Sequence, residues 1–235
     1  DFGLIEPGYY AFFNAYNSPD GINELRNLTY LTENGKVYQQ YFTYKKDFLH
    51  LGYGPRFNFS YFDNQLMFVP PFSNNVYNID KDKCSLRYHF DFGYYSIPDN
   101  FLQNYYTSSS FIQNIRDSPY VIFLRNYCES NKLISFYIDI QDKHLIYLFN
   151  KSNHNMILSD LRDPLLLGSI PFAVDSEYVY QLIDISIFHK ALADVEKNER
   201  ERTLNRIKTD NPLMYYVLKN TKDNDNPIVR KLKVF

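Results

Sequence analysis

The sequence contains no tryptophan, 8 glycines and 2 cysteines among its 235 residues. Each shortage excludes something. Cys84 and Cys128 form no C-x-x-C pair, and their separation fits no zinc site. They read as two independent small core residues, with a single disulfide as the alternative. No run of 18 apolar residues occurs, so no transmembrane helix is expected. Neither sign of charge dominates: 25 Lys and Arg face 27 Asp and Glu, spread along the chain. Binding to a phosphate backbone needs a basic patch, so nucleic acid is not expected as the main partner. No GxSxG, P-loop or HExxH motif is present. The chain opens Asp1-Phe2-Gly3, with neither Met nor a signal peptide, as a processed or truncated chain would.

What is present is aromatic. Tyr (23) and Phe (20) together make 18% of the residues. Both favour pleated, half-buried surfaces, and every Tyr hydroxyl needs water or a partner. Strand-like runs recur along the chain: Tyr9–Ala15, then Asn27–Phe42 with Asn34-Gly35 as a hairpin signal. Leu66–Val69, Val76–Ile79 and Leu86–Phe92 follow, separated by Asn74-Asn75 and by Asp80–Lys83. Tyr94–Ser118 reads as a long irregular connection with one helical turn near Pro98–Gln103. Pro119–Cys128, Lys132–Ile140 and His144–Lys151 make a second three-strand meander, and Glu177–Asp184 is a further strand. Leu161–Phe172 reads as a loop with short extended pieces.

The period changes near the end. Ile185, Phe188, Leu192 and Val195 recur at helical spacing, and Leu204 and Ile207 close the pattern. We expect one amphipathic helix over residues 185–208, ended by Asp210-Asn211-Pro212. A short helix over Leu213–Lys219 and a closing strand over residues 226–235 complete the chain. Small antiparallel meanders repeating at about 40 to 50 residues are the signature of propeller blades. A meander by itself leaves both faces uncovered, and stacking covers them. The expected fold is therefore all-β: a single β-propeller domain over residues 1–235, with a C-terminal amphipathic helix.

Several phrases resemble a known family. "GYGPRF" (Gly52–Phe57) resembles the loop that starts blades in NHL-type propellers, with Arg56 where a second Gly usually stands. "NNVYNID" (Asn74–Asp80) is similar to the third-strand phrase of those blades. "LRYHFDFGYYSIP" (Leu86–Pro98) and "DNDNPIVRKLK" (Asp223–Lys233) resemble bacterial six-bladed β-propeller proteins of exported or lipoprotein type. The resemblance covers about residues 48–235. It implies a six-bladed fold and an extracytoplasmic location, periplasm or cell surface. Any membrane attachment would be through a lipid anchor absent from this chain. It implies no activity. At about 45 residues per blade, six blades and a helix exceed this chain, so N-terminal blades are expected to be missing.

The candidate binding residues are aromatic and basic. Tyr94-Tyr95 and Tyr105-Tyr106 are doublets in loop regions, able to stack on a sugar ring or a peptide. Arg56 and Arg125 sit in or beside inner-strand candidates, as anion anchors or surface salt bridges. Asp160 and Arg162 cluster in "SDLRDP" (Ser159–Pro164), as a ligand loop or as a capped turn. The leading function is a binding module for a protein or glycan, with no cofactor. The alternative is a propeller hydrolase or lyase in which some of His50, His89, His144, Asp160 and Asp163 meet at the axis around a metal or as paired carboxylates. A purely structural role in a surface complex is the third reading, marked by a large apolar patch.

Overall fold

The computed structural model describes residues 1–14, 24–45, 58–98, 101, 113–114, 117–141, 143–160, 169–194, 196–223 and 225–234. Their backbone forms four antiparallel sheets. The first contains β1 (Phe2–Glu6), β2 (Tyr9–Phe13), β3 (Glu24–Thr32) and β4 (Val37–Lys45), in that order. The second contains β5 (Phe59–Phe62), β6 (Gln65–Phe68), β7 (Asn75–Ile79) and β8 (Cys84–His89). The third contains β9 (Leu124–Glu129), β10 (Leu133–Ile140), β11 (Lys143–Asn150) and β12 (Met156–Asp160). The fourth has three strands: β13 (Ser169–Val174), β14 (Tyr178–Ile183) and β15 (Ile228–Lys233). In the four-stranded sheets each strand pairs with the next in sequence, which is the expected meander.

The described chain divides into two compact units, Asp1–Cys128 with Phe136–Asp142, and Glu129–Ser135 with Lys143–Phe235. The division falls inside the third sheet.

Short side chains close the meanders. The Asp80 carboxylate accepts the Asp82 and Lys83 amides, each at 3.0 Å. Asp175 accepts those of Glu177 and Tyr178, each at 2.8 Å, and the Ser130 hydroxyl oxygen accepts that of Leu133 at 2.9 Å. Such residues mimic a backbone turn and satisfy donors that a sharp reversal would orphan. Between β5 and β6 the two loop residues Asp63 and Asn64 both have positive φ, 52° and 57°. That is the geometry whose twist matches paired strands. At Asn34-Gly35 only Gly35 is left-handed (φ 73°), and its amide donates to Thr32 across a wider turn. The hairpin forms where the sequence places it, by a different turn.

In the first unit the core lies between the first two sheets. Ala11, Phe13, Leu28 and Tyr30 meet Leu66, Phe68 and Ile79. Phe68 is fully buried, with the rings of Phe59, Phe42 and Phe13 at centroid distances of 5.1, 5.6 and 5.8 Å. In the third sheet, Leu133 to Ile138 are buried without a break. A strand covered on both faces loses the polar alternation of a half-wet sheet.

In the second unit, β14 leads into α1 (Ile185–Asp194), α2 (Lys197–Asp210) and α3 (Pro212–Asn220) before β15 closes the sheet. The single helix expected over 185–208 is therefore two. At Glu196 the backbone is extended (φ −55°, ψ 146°), and the Arg200 guanidinium donates to the Ala193 carbonyl at 2.6 Å. The reason is packing. One straight helix over that stretch would be about 36 Å long. The break lets Ile185 and Leu192 share a core with Ile207, Met214 and Leu218. The Asn211 side chain caps α3 by accepting the Met214 amide at 3.0 Å, with Pro212 in the first turn. The short helix and the closing strand form where expected.

Two predictions follow from this packing and capping. Phe68→Ala should cost about 3–5 kcal/mol in urea unfolding, as a fully buried ring leaves a cavity. The second concerns acid. Asp184 accepts the Ser186 hydroxyl (2.7 Å) and the Ser186 and Ile187 amides at the start of α1. These bonds, the hydroxyl's first, hold its carboxyl below the ordinary carboxylate value. The Glu177 amide, then the Tyr180 hydroxyl, do the same for Asp175. A lowered folded-state value means the stabilisation is complete above the unfolded value and is lost as pH falls through the folded one. Carboxyl-carbon NMR titration should show both midpoints below those of an unfolded peptide. An unshifted Asp184 would mean that the cap does not form in solution.

Candidate functional site

Two of the eight expected site residues form a built surface feature. After β8 the chain makes a single 3₁₀ turn over Gly93–Tyr95. Its backbone is held at almost every position. The Asp91 carboxylate accepts the Gly93 amide at 2.7 Å, and the Ser96 hydroxyl oxygen accepts the Phe92 amide at 2.9 Å. The Tyr95 amide donates to Phe92 and the Ser96 amide to Gly93, at 3.1 and 3.0 Å. The Tyr95 carbonyl accepts the Val121 amide at 2.8 Å, beside a parallel bridge from Ser96 to the buried Val121. Gly93 has φ 56°, a left-handed conformation that glycine adopts without steric cost.

The side chains of this pinned turn face water. Tyr94 is 83% exposed and Tyr95 51%. Their rings stand nearly perpendicular, 82° apart with centroids 5.9 Å from each other. Two apolar faces at right angles, each ending in a hydroxyl, offer stacking and hydrogen bonding together. Because the backbone is already ordered, a ligand would meet a smaller entropic cost than at a loose loop.

The other expected residues are placed differently or lie outside the described residues. Arg125, on β9, pairs with Asp139 at 2.7 Å and lies 5.2 Å from the Phe123 ring centroid. An anion at Arg125 would have to compete with that carboxylate, and of its two expected roles the structure shows the salt bridge. Asp160 is the last residue of β12, in register with Leu145, and not part of a loop. Arg56, Tyr105, Tyr106 and Arg162 lie outside the described residues, as do His50, Asp163 and the "GYGPRF" phrase of residues 52–57. Of the turn expected near Pro98–Gln103 only Pro98 and Phe101 are described, and the Phe101 amide donates to the Pro98 carbonyl at 2.9 Å.

Of the histidines, His89 is on β8, its Nδ1 2.7 Å from the Asn75 amide oxygen. His144 is on β11. Among the described residues no three His, Cys, Asp or Glu side chains come together as a metal site would require. Cys84 and Cys128 are both free. Burial pushes both thiols up to about 12.

Sequence reading missed a polar cluster on the fourth sheet. The Lys231 ammonium lies 3.8 Å from the Tyr178 ring centroid, and the Tyr180 hydroxyl donates to Asp175 at 2.7 Å. Tyr180 faces Lys231 in the β14–β15 register, and only that long-range pairing brings the residues together.

Successive four-stranded antiparallel meanders of this kind are the blades of a β-propeller. The chain belongs to a family of six-bladed β-propellers, matched over residues 1–181. The "DNDNPIVRKLK" resemblance lies beyond the matched segment. Among solved structures, the chain is similar to a candidate exported protein from Bacteroides fragilis, with 11% identity and a TM-score of 0.65. The likeness covers 97% of this chain and 63% of that one, and at such identity it concerns the fold alone. No curated protein matches the sequence.

The thiols supply a test. Both should react slowly with a disulfide reagent at pH 8 in the folded protein and rapidly in denaturant, because the reactive thiolate is scarce well below a value of about 12. Fast labelling of the native chain would show that one of them is less buried in solution.

Proposed function

We propose that the protein is an extracytoplasmic binding module that presents the Tyr94-Tyr95 pair to a peptide or glycan. The observation that carries this reading is the contrast between a backbone held by five hydrogen bonds and two rings left in water. Exposed aromatic rings on a fixed turn are typical binding anchors, since Tyr supplies large contact area for few rotatable bonds. One further fact supports the location: the Bacteroides fragilis neighbour is a candidate exported protein.

A glycan would stack on one ring and take hydrogen bonds from the hydroxyls. A peptide would set an apolar side chain in the notch between the rings. Both uses need the two rings together, which makes the double variant the decisive one.

The chain should be screened against immobilised peptides and glycans beside Tyr94→Ala/Tyr95→Ala. At least one ligand should be retained by the unmodified chain and bind the double variant at least about tenfold more weakly. The melting temperature should not change, because both rings are outside the core. A ligand held equally by both proteins would move the site elsewhere, and failure of the unmodified chain to retain any ligand would overturn the reading.

A further inference from the structure

The pinned turn after β8 carries a charge as well as two rings. Asp91 is exposed and stands just before Gly93 in the chain. Its Oδ1 accepts the Gly93 amide at 2.7 Å and the Ser96 hydroxyl at 3.4 Å. These bonds fix the carboxylate to the backbone that presents Tyr94 and Tyr95. Oδ2 makes no hydrogen bond to the described residues and is left to solvent. Among the described residues no lysine or arginine pairs with Asp91 or lies over either tyrosine ring.

Elsewhere the chain completes this set of groups from its own residues. On β9 the Arg125 guanidinium pairs with Asp139 at 2.7 Å and lies 5.2 Å from the Phe123 ring centroid. On β8 the Arg87 guanidinium lies 5.3 Å from the Phe62 centroid and 5.2 Å from that of Tyr88. In both places a planar cation is drawn to an aromatic ring, whose face is the negative part of its quadrupole. The turn offers the same acceptors, two ring faces and a carboxylate oxygen, with the cation left out.

That combination selects an occupant. A neutral sugar would stack on a ring and donate hydroxyls to Asp91, but it would not use the charge. A guanidinium uses both. It is flat enough to stack, it is more weakly hydrated than an ammonium, and its fork of N–H donors suits a carboxylate while its face stays on a ring. Arg125 does both at once within this chain. We propose that the turn binds an arginine side chain of a peptide, its guanidinium stacked on Tyr94, the more exposed ring, and its N–H groups donating to Asp91 Oδ2. The proposal rests on the reading of the tyrosine pair as a binding site and narrows its ligand to an arginine-bearing peptide.

The test uses the whole 235-residue chain. Two capped glycine tripeptides are titrated in turn, one with a central arginine and one with a central citrulline, its uncharged near-isostere. The Gly93 amide resonance, which reports on the bond to Asp91, is followed by NMR. The arginine peptide should shift it saturably, and the citrulline peptide should bind about tenfold more weakly. Asp91→Asn keeps an oxygen for the Gly93 amide and removes the charge. It should weaken arginine binding about threefold and leave citrulline binding unchanged. Equal binding of the two peptides, or arginine binding indifferent to Asp91→Asn, would overturn the proposal and leave the tyrosine pair as a site for a neutral ligand. Arginine binding retained in Tyr94→Ala/Tyr95→Ala would overturn the tyrosine reading itself. A shift that does not saturate with either peptide would overturn the arginine proposal, and the peptide and glycan screen then decides the tyrosine reading separately.

Discussion

The Leu66 side chain lies against bare backbone at Gly3. A Cβ on that glycine would be 2.7 Å from the Leu66 Cδ1, closer than two carbons pack. That contact sets how closely the first sheet approaches the second. It brings Ala11, Phe13, Leu28 and Tyr30 onto Leu66, Phe68 and Ile79. The constraint behind it is general to stacked meanders. A four-stranded sheet of this size has two faces, and aromatic side chains on both demand cover that a meander cannot supply for itself. The unbroken burial of Leu133 to Ile138 shows the same demand met in the third sheet.

Once the strands are committed to stacking, the surface left for a ligand is what remains outside them. The 3₁₀ turn after β8 is the clearest case. Its hydrogen bonds are local, apart from the tie to Val121, and they leave the two tyrosine rings against each other and exposed to water. The same economy appears in the second unit. There the three helices between β14 and β15 build their own small core, with a cavity beside the last strand.

Much of this fold is legible in the sequence because strand alternation and turn chemistry act over a few residues. The runs at β2 to β4, β6 to β11 and β14 are plain in the aromatic and branched side chains, and Asp80 announces its own turn. Three strands escape such reading for physical reasons. β1 contains Gly3, which weakens a strand locally and is needed here only because Leu66 approaches. β13 contains Pro171, tolerated because β13 is the edge of its sheet and the pairing is irregular there. β12 is short and mixed in polarity, an edge strand with little face to bury. The Tyr94-Tyr95 pair was visible as a doublet in a connection. Its exposure and fixed geometry were not.

The sequence by itself determined the all-β meander architecture, the C-terminal change to helical period, and the tyrosine doublet as a candidate surface. These depend on near neighbours, whose propensities act wherever the chain goes. Only the tertiary structure decided that the long helical pattern breaks at Glu196, that Arg125 is tied to Asp139, and that Arg230 is held by Gln181. Each of those outcomes depends on side chains distant in sequence or on the shared core that several helices must fill. No local preference encodes such contacts, because their energy exists only once the partners are brought together.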